Sequence, residues 1–368
     1  MRGTATLQRL TACGRQVMSR FTAGCRRLSG SKPGRRQLRL GLVILTVVAL
    51  VAVLVPVIAY RTLFAAVGGE AVVLSVPSGA STRAVANLLA EANVIRSPLA
   101  LRAWIRLRGL DGQLRAGEYR FDPAHDAFAV LDRLIRGKVV EYPFTIPEGL
   151  TVAQIAVLLE QKGFAAAQKF REAARQTYNY SFLPANKDLR EPLEGYLYPD
   201  TYRYVKGMTE RQLVDMMLRR MAEALRPLEA PAAAQGFTLH QLVTLASIVE
   251  KETAVADELP LVASVFRNRL RIDMKLDSCA TLNYLLDKPR PVITMQDLEI
   301  VSPYNTYKHN GLPPGPIGSP GLAALKAALE PAETKYFYFV SRNDGTHAFS
   351  VTFEEHNRWK LVYQSPNP

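Results

Sequence analysis

The stretch TLHQLVTLASIVEKET, residues 238–253, joins a long apolar segment to two carboxylates at its end. Thr238 is a residue type that caps helix N-termini. Apolar residues follow on nearly every side of a helix: Leu239, Leu242, Val243, Leu245, Ala246, Ile248 and Val249. A helix that is apolar all round is buried in a core. The pattern therefore predicts a central helix over 238–253, with a polar end that needs an explanation.

Glu250 and Glu252 differ in the neighbours that a helix gives them, which are the residues three and four positions away. Those of Glu250 are all small: Ala246, Ser247, Thr253 and Ala254. Those of Glu252 are mostly bulky: Ile248, Val249, Val255 and Ala256. Small neighbours leave a hollow in which a sugar ring could lie, whereas bulky neighbours predict packing. The negative end of the helix dipole also favours a protonated Glu250, as a proton donor requires. A surface Glu-Lys-Glu turn is the alternative that periodicity leaves open.

The positive charge of the chain is concentrated at its N-terminus. The 368 residues, 48% of them hydrophobic, suffice for two modest domains. The formal net charge is +13, but residues 1–40 hold ten Lys or Arg and no acidic residue, which leaves +3 for the remainder. The basic character belongs to an arm, so no nucleic-acid surface is predicted.

Residues 40–60, LGLVILTVVALVAVLVPVIAY, contain no charge. About 20 apolar residues span a bilayer core, so this segment predicts a single transmembrane helix. The basic flank places the N-terminus in the cytoplasm by the positive-inside rule, and the rest outside. A cleaved signal peptide is the alternative; the long arm, residues 1–39, and the long apolar run favour an anchor.

Short strands and helices alternate irregularly after the anchor, which predicts an α+β fold. Strands are expected at 72–76, 117–121 and 336–340. Helices are expected at 83–92, 98–108, 126–136, 208–227, 238–253, 257–271 and 321–329. The segments VLSVPSGASTRAVANLLAEAN and PFTIPEGLTVAQIAVLLEQKG share one order: strand, Pro-x-Gly, Thr, helix. This shared order is compatible with two small glycan-binding modules. It is equally compatible with a chance similarity between strand–turn–helix units.

Two further segments have the residue types that bind sugars. EGYLYPDTY, 194–202, combines aromatic faces with carboxylates, and the candidates in it are Glu194, Tyr198 and Asp200. SPYNTYKHNGLPPGPIGSPG, 302–321, is a Pro- and Gly-rich loop of fixed shape, and Asn305, Thr306 and Tyr307 are its candidates. An aromatic turn packed on the core is the alternative for the first segment.

Other enzyme signatures are absent from the sequence. There is no G-x-S-x-G, phosphate loop or H-E-x-x-H. Neither the five histidines nor the three cysteines have metal-ligand spacing, so no metal and no cofactor are predicted. Ser247 and Lys251, four residues apart, could act as a serine–lysine pair only if the lysine were desolvated.

Taken in order, several motifs resemble the endolytic murein transglycosylase (YceG-like, MltG-like) family. They are RAGEYRF, IPEGLT, LEGYLYPDTY, LASIVEKET, VFRNRL, SPYNTYKHNGLPPGPIGSPG and YFYFV. The resemblance extends over the arm, the anchor and nearly all of 70–360. It implies a LysM-like subdomain at 70–141 and a catalytic domain at 142–368.

The resemblance also implies an activity. Enzymes of this family cut the β-1,4 bond from N-acetylmuramic acid to N-acetylglucosamine inside glycan strands and leave 1,6-anhydro ends. Their catalytic residue is the first acid of SIVEKE, here Glu250. The expected partners are peptidoglycan strands and peptidoglycan synthases (penicillin-binding proteins), and the expected location is the periplasmic face of the inner membrane. A non-catalytic peptidoglycan-binding scaffold for these synthases is the alternative.

One segment departs from the family pattern. Where that pattern reads L-Q-S-D-x-T-V-x-Y, this chain has LDSCATLNY, 276–284. Asp277 therefore stands at the Gln position and Cys279 at the Asp position. We expect Cys279 to be structural.

Overall fold

The protein is described by a computed structural model that covers residues 35–184, 189–286, 288–290 and 292–364. The chain divides into two compact units, Met1–Lys138 and Val139–Pro368. Most of the predicted basic arm, residues 1–34 with Cys13 and Cys25, lies outside the described residues. The predicted domain bounds stay a prediction.

The first unit contains a long helix and a small α/β assembly. Its elements are α1 (Arg35–Leu63), β1 (Val72–Val76), α2 (Thr82–Glu91), α3 (Pro98–Leu107), β2 (Gly117–Phe121) and α4 (Ala127–Arg136). The two strands pair antiparallel, with Val72 opposite Phe121 and Val76 opposite Gly117. Ser81 caps α2 through the Ala84 amide. The unit therefore has a β-α-α-β order followed by one helix.

Helix α1 is long and apolar enough over Arg39–Leu63 to cross a membrane. Its C-terminal end contacts the other elements of the first unit. The Tyr60 hydroxyl donates to Asp126 Oδ2 at 2.8 Å. Phe64, which follows the helix, stacks on Phe128 with ring centroids 4.9 Å apart. The end of the apolar helix is thus packed against the fold that follows it.

The second unit is mainly helical. Its elements are β3 (Glu141–Thr145), α5 (Val152–Gln161), α6 (Ala167–Ala174), β4 (Thr201–Val205), α7 (Glu210–Leu225), α8 (Glu229–Ala234), α9 (Leu239–Glu252), α10 (Leu259–Arg271), α11 (Cys279–Leu285), α12 (Met295–Leu298), α13 (Leu322–Leu329), β5 (Tyr338–Ser341), β6 (His347–Ser350) and α14 (Phe353–Gln364). Short 3-10 turns over Arg226–Leu228 and Ala256–Glu258 precede α8 and α10. Antiparallel pairs form from β3 with β4 and from β5 with β6.

Helix α9 is central to the second unit, as the periodicity predicts. Its residues from Leu242 to Val249 are all buried. It packs against α10 and α13. Thr238 and Gln241 form a capping box at its start, with the Thr238 hydroxyl accepting from the Gln241 amide at 3.1 Å. The buried helix thereby holds Glu250 at a fixed point, two residues before the helix ends at Glu252.

The mixture of helices and two-stranded sheets confirms the predicted α+β class. Each predicted helix is present, and its ends lie within two residues of the predicted ones. The order β-α-α-β recurs as β3-α5-α6-β4, so the two segments that looked alike do start equivalent units. The predicted last strand, 336–340, is displaced to Tyr338–Ser341.

Candidate active site

Glu250 lies in the last turn of α9 with its side chain half-buried. Its Oε2 accepts a hydrogen bond from the Gly321 amide at 3.0 Å. Gly321 is the residue that precedes α13, so the carboxyl group meets the N-terminus of a second helix. Because Gly321 has no side chain, this contact brings only backbone atoms of Gly321 next to the carboxyl group.

Three glycines bring two distant loops together beside Glu250. We call residues 147–150 the PEG turn and residues 302–321 the Pro/Gly loop. The Gly149 amide donates to the Ser319 carbonyl at 2.7 Å, and the Ser319 amide donates to the Leu150 carbonyl at 2.9 Å. A Cβ at Gly318 would lie 2.6 Å from the Gly149 carbonyl oxygen, so the contact requires glycine there. The two segments form one continuous surface.

The same surface adjoins Glu250. Gly149 has a φ of +75°, and a Cβ built on it would lie 3.6 Å from Glu250 Cγ. The absence of side chains at 149, 318 and 321 lets neighbouring parts of the chain pack closely beside the carboxyl group. The hollow predicted from the small neighbours on α9 stays a prediction.

Glu148, in the PEG turn, is the acidic residue that the sequence reasoning missed. Its side chain is exposed, and its Oε1 lies 1.8 Å from where a Cβ on Gly321 would be. Two carboxylates therefore meet at Gly321: Glu250 at its amide and Glu148 at its Cα face. The available signal was the motif IPEGLT itself, which places an acid directly before a turn glycine.

Burial raises the pKa of Glu250 above its ordinary value, and the charge of Glu148 raises it further. The Gly321 amide and the Lys251 ammonium act in the opposite direction. The predicted elevation thus has a different main cause from the one expected. Desolvation, rather than the negative end of the α9 dipole, keeps the carboxyl group protonated at higher pH.

Glu252 lies in a different environment, two residues further on. The Ser278 hydroxyl donates a short hydrogen bond to its Oε1, and the Ala280 amide also donates to the carboxylate. Burial raises the pKa of Glu252 as well. Since Ser278 and Ala280 are at the start of α11, Glu252 connects α9 to that helix, in agreement with the predicted packing role.

Glu194 and Asp200 are engaged in contacts within the protein. Glu194 is 2% exposed, and its Oε1 accepts from the Val152 amide at 3.0 Å, at the start of α5. Burial raises the pKa of Glu194 to about 7. Asp200 pairs with Arg220, Nε to Oδ2, at 2.5 Å. Both carboxylates thus have partners within the protein, and a sugar contact by either stays a prediction.

Tyr198 lies closer to the candidate site. Its phenol is mostly buried, and burial raises its pKa, with a smaller contribution of the same sign from Glu148. The phenol is therefore near enough to the PEG turn for the Glu148 charge to act on it. A sugar contact for Tyr198 stays a prediction.

Asn305 and Thr306 stabilise the Pro/Gly loop from within. Both are 1% exposed or less. The Asn305 amide donates to the Leu298 and Ile300 carbonyls at 3.0 and 2.8 Å. Both side chains are therefore buried within the protein, and direct sugar contact by them stays a prediction without support from their exposure. Polar residue types in a loop do not reveal from sequence whether their partner is a ligand or the loop itself.

Tyr307 and Cys279 lie next to Glu252. The Tyr307 hydroxyl and Cys279 Sγ are 3.0 Å apart, and the thiol is exposed. Burial raises the pKa of the thiol. This residue, which replaces the Asp of the family pattern, thus lies on the Glu252 side of the helix end. Direct sugar contact by Tyr307 stays a prediction.

His240 connects two of the predicted segments near the start of α9. Its Nδ1 lies 2.6 Å from the Tyr196 hydroxyl, and its Nε2 lies 2.7 Å from the Pro314 carbonyl oxygen. EGYLYPDTY and the Pro/Gly loop are therefore joined through the central helix.

The serine–lysine alternative fails on geometry. Ser247 is 1% exposed, its hydroxyl donates to the Thr244 carbonyl at 2.7 Å, and its oxygen accepts from the Ile317 amide at 3.1 Å. Burial does lower the pKa of Lys251, as a base would need. The hydroxyl is nevertheless committed to the loop and inaccessible. Within the described part of the chain, no group of three or more His, Cys, Asp or Glu could hold a metal ion.

Comparisons with known proteins agree with this arrangement. The model of the YceG-like family matches residues 74–360. An endolytic murein transglycosylase from Bacillus subtilis (strain 168) is 31% identical over 305 residues, which are 79% of this chain and 84% of that protein. One from Streptococcus pneumoniae (strain D39) is 30% identical over 316 residues, which are 78% of this chain and 57% of that protein.

A solved structure is also similar. The crystal structure of a YceG-like protein from Listeria monocytogenes superposes with a TM-score of 0.54 at 31% identity. The superposition covers 78% of this chain and 98% of the other. Family match, relatives and structure agree with one another and confirm the resemblance read from the motifs: this chain belongs to the YceG-like family.

Proposed function

We propose that the protein is an endolytic murein transglycosylase with Glu250 as its general acid and base. The observation that carries the proposal is the position of Glu250. It is a half-buried carboxyl group with a raised pKa, held by one backbone amide where the PEG turn and the Pro/Gly loop meet through glycines. The names of the relatives support the same reaction class.

The proposed first step uses the proton of Glu250. The carboxyl group donates it to the glycosidic oxygen between N-acetylmuramic acid and N-acetylglucosamine, and the bond from that oxygen to the muramyl C1 breaks. The Gly321 amide, which already binds Oε2, stabilises the carboxylate that forms. Burial, which favours the neutral acid before the step, makes the proton available near neutral pH.

The second step closes the anhydro ring. The 6-hydroxyl of the muramyl residue attacks C1, and the Glu250 carboxylate accepts its proton. The acid is thereby regenerated, and no water is consumed. A glycosidase that adds water needs a second carboxylate to handle the water or a covalent intermediate. An internal nucleophile allows one residue to serve as acid and then as base.

We further propose that α1 anchors the enzyme as a single-pass helix. The N-terminus would be cytoplasmic and the second unit periplasmic, since the basic residues precede the span. The LysM-like assignment of 70–141 is supported by the β-α-α-β order of the first unit. Substrate and partners would be peptidoglycan strands and their synthases, and cleavage would set the length of new strands.

The test is digestion of purified murein sacculi by the full chain in detergent. Glu250→Gln and the exposed control Glu229→Gln are run in parallel, and the ends are analysed by mass spectrometry. We expect 1,6-anhydromuramyl ends from wild type and the control, and none from Glu250→Gln. Reducing ends would replace the transglycosylase by a hydrolase. Binding without cleavage by wild type would favour the scaffold alternative.

A further inference from the structure

The PEG turn presents a second acidic side chain to the proposed site. Glu148 belongs to the loop that precedes α5, yet the cap of that helix is Thr151, whose hydroxyl accepts from the Gln154 amide. Among the described residues, none donates a hydrogen bond to the Glu148 carboxylate or forms an ion pair with it. Its position is therefore not explained by the stability of the turn.

The surroundings of Glu148 nevertheless leave room for this carboxylate. A side chain at Gly321 would overlap it, with a Cβ only 1.8 Å from Oε1 and 2.1 Å from Cδ. Gly321 has a φ of −78°, which any residue adopts, so backbone conformation does not require glycine there. The space for Glu148 is what a larger residue at 321 would remove.

The charge of Glu148 acts on two groups of the same surface. Burial is the main cause of the raised pKa of Glu250, and the charge of Glu148 raises it further. The same charge also raises the pKa of the Tyr198 phenol. The other charged group that faces Glu250 is Lys251 on its own helix, which opposes the effect. Glu148 is the exposed one of two acids that meet at Gly321, and Glu250 is the half-buried one.

We propose that Glu148 is a second catalytic carboxylate of this site, which contacts the substrate and stabilises the positive charge that develops at the muramyl C1. Glycosidic bond cleavage passes through an oxocarbenium-like transition state, and a nearby ionised carboxylate stabilises it. A half-buried acid beside an exposed carboxyl group is an arrangement in which two environments give two carboxyl groups two roles. This inference rests on the proposed function of Glu250.

In this division of labour, Glu148 exchanges no proton and forms no bond. Glu250 donates the proton to the leaving oxygen and later accepts the one from the 6-hydroxyl. The negative charge of Glu148 also keeps that proton on Glu250 up to higher pH. Replacing Glu148 by glutamine should therefore have two effects, a slower reaction and an acidic shift of the pH at which activity falls.

The experiment measures initial rates of murein cleavage by the full chain in detergent between pH 4 and 9. At the optimum pH, we expect the rate of Glu148→Gln to be lower than the wild-type rate by about ten-fold. We also expect the alkaline limb of the pH profile to move down by about 0.5 to 1 pH unit. Glu148→Asp keeps the charge, so its limb should stay in place. Glu229→Gln, on the exposed face of α8, is the matched control.

The outcomes separate this inference from the proposed function. A Glu148→Gln protein with the wild-type limb overturns the inference, whether its rate is normal or reduced, because a structural role would lower the rate without moving the limb. If Glu250→Gln cleaves as well as wild type, the proposed function fails first. The remaining outcome is an inactive Glu250→Gln together with an alkaline limb of Glu148→Gln that stays at the wild-type pH. That result keeps the proposed function of Glu250 and rejects only the catalytic role of Glu148.

Discussion

Glu250 and Glu252 are two residues apart in one helix turn, and each meets the N-terminus of another helix. Glu250 meets Gly321, which offers one amide and no side chain. Glu252 meets Ser278, whose hydroxyl adds a hydrogen bond, and the Ala280 amide. Burial raises the pKa of both. The pKa alone therefore does not identify the reactive residue; the two differ in that Glu250 accepts one hydrogen bond and Glu252 accepts two.

The sharpest way to break this comparison is to substitute both glutamates separately. We expect Glu250→Gln to lower murein cleavage by about a thousand-fold or more, since it removes the proton that the reaction needs. Glu252→Gln should lower murein cleavage by only about three-fold, because the glutamine side chain still accepts the hydrogen bond of Ser278. We expect this substitution to cost roughly 1 kcal/mol of stability. Rates of anhydro-end formation and melting temperatures measure both effects. A reversed order would transfer the catalytic role to Glu252.

Crowding the Glu148 carboxylate should be less damaging than removing the Glu250 acid, but still clearly measurable. Gly321→Ala places a Cβ on the Glu148 carboxylate without backbone strain. We expect a loss of activity of about 30- to 100-fold with less than ~2 kcal/mol of destabilisation. In Glu148→Ala the space is vacated, so adding Gly321→Ala to it should cost little more. Additive losses in this double-mutant cycle would show that the two residues do not interact.

A third acid extends the comparison from activity to stability. Burial raises the pKa of Glu194 to about 7 in the folded protein. The folded state thus holds this proton more tightly than the unfolded state, so its contribution to stability is complete below the unfolded pKa and is lost as pH rises through about 7. We expect the free energy of unfolding to fall by ~2–3 kcal/mol between pH 5 and pH 8.

Glu194→Gln should flatten this dependence, because glutamine can accept from the Val152 amide without ionising. Chemical denaturation of the detergent-solubilised chain at several pH values measures it, with Glu229→Gln as control. An unchanged slope in Glu194→Gln would assign the pH dependence to other groups.

Ser247→Ala is expected to have the smallest effect. It leaves the Ile317 amide without its partner, which costs ~1–2 kcal/mol of stability. Cleavage should remain within about three-fold of wild type, because the hydroxyl has no role in the proposed chemistry. Abolished cleavage in a folded Ser247→Ala protein would revive the serine–lysine alternative.

The sequence predicts well those features that depend on local periodicity. Helix α9 follows from apolar spacing and a threonine cap, and both are confirmed. The contrast between a packed Glu252 and its neighbour Glu250 follows from the same periodicity, and the packing of Glu252 on α11 agrees with it. These successes share one cause: residues three and four apart on a helix are neighbours wherever the helix lies.

Contacts between distant parts of the chain could not be predicted in that way. Gly149 meets Ser319 across 170 positions, so no local pattern indicates that Glu148 lies beside Glu250. The residue type of Asn305 predicts ligand binding, whereas its side-chain amide bonds the carbonyls of Leu298 and Ile300, just before the Pro/Gly loop. Which polar groups remain free is decided by the assembled fold.

The junction at the end of α1 has a mechanical consequence. Its uncharged residues, 40–60, extend over roughly 32 Å, about the ~30 Å of a bilayer interior. Such a helix tilts where the bilayer interior is thinner than its apolar length. Tyr60 and Phe64 are packed against the first unit before the chain reaches Gly68 and Gly69, so that tilt turns the unit with it. Under the proposed single-pass arrangement, lipid thickness would set the angle at which the first unit stands on the membrane.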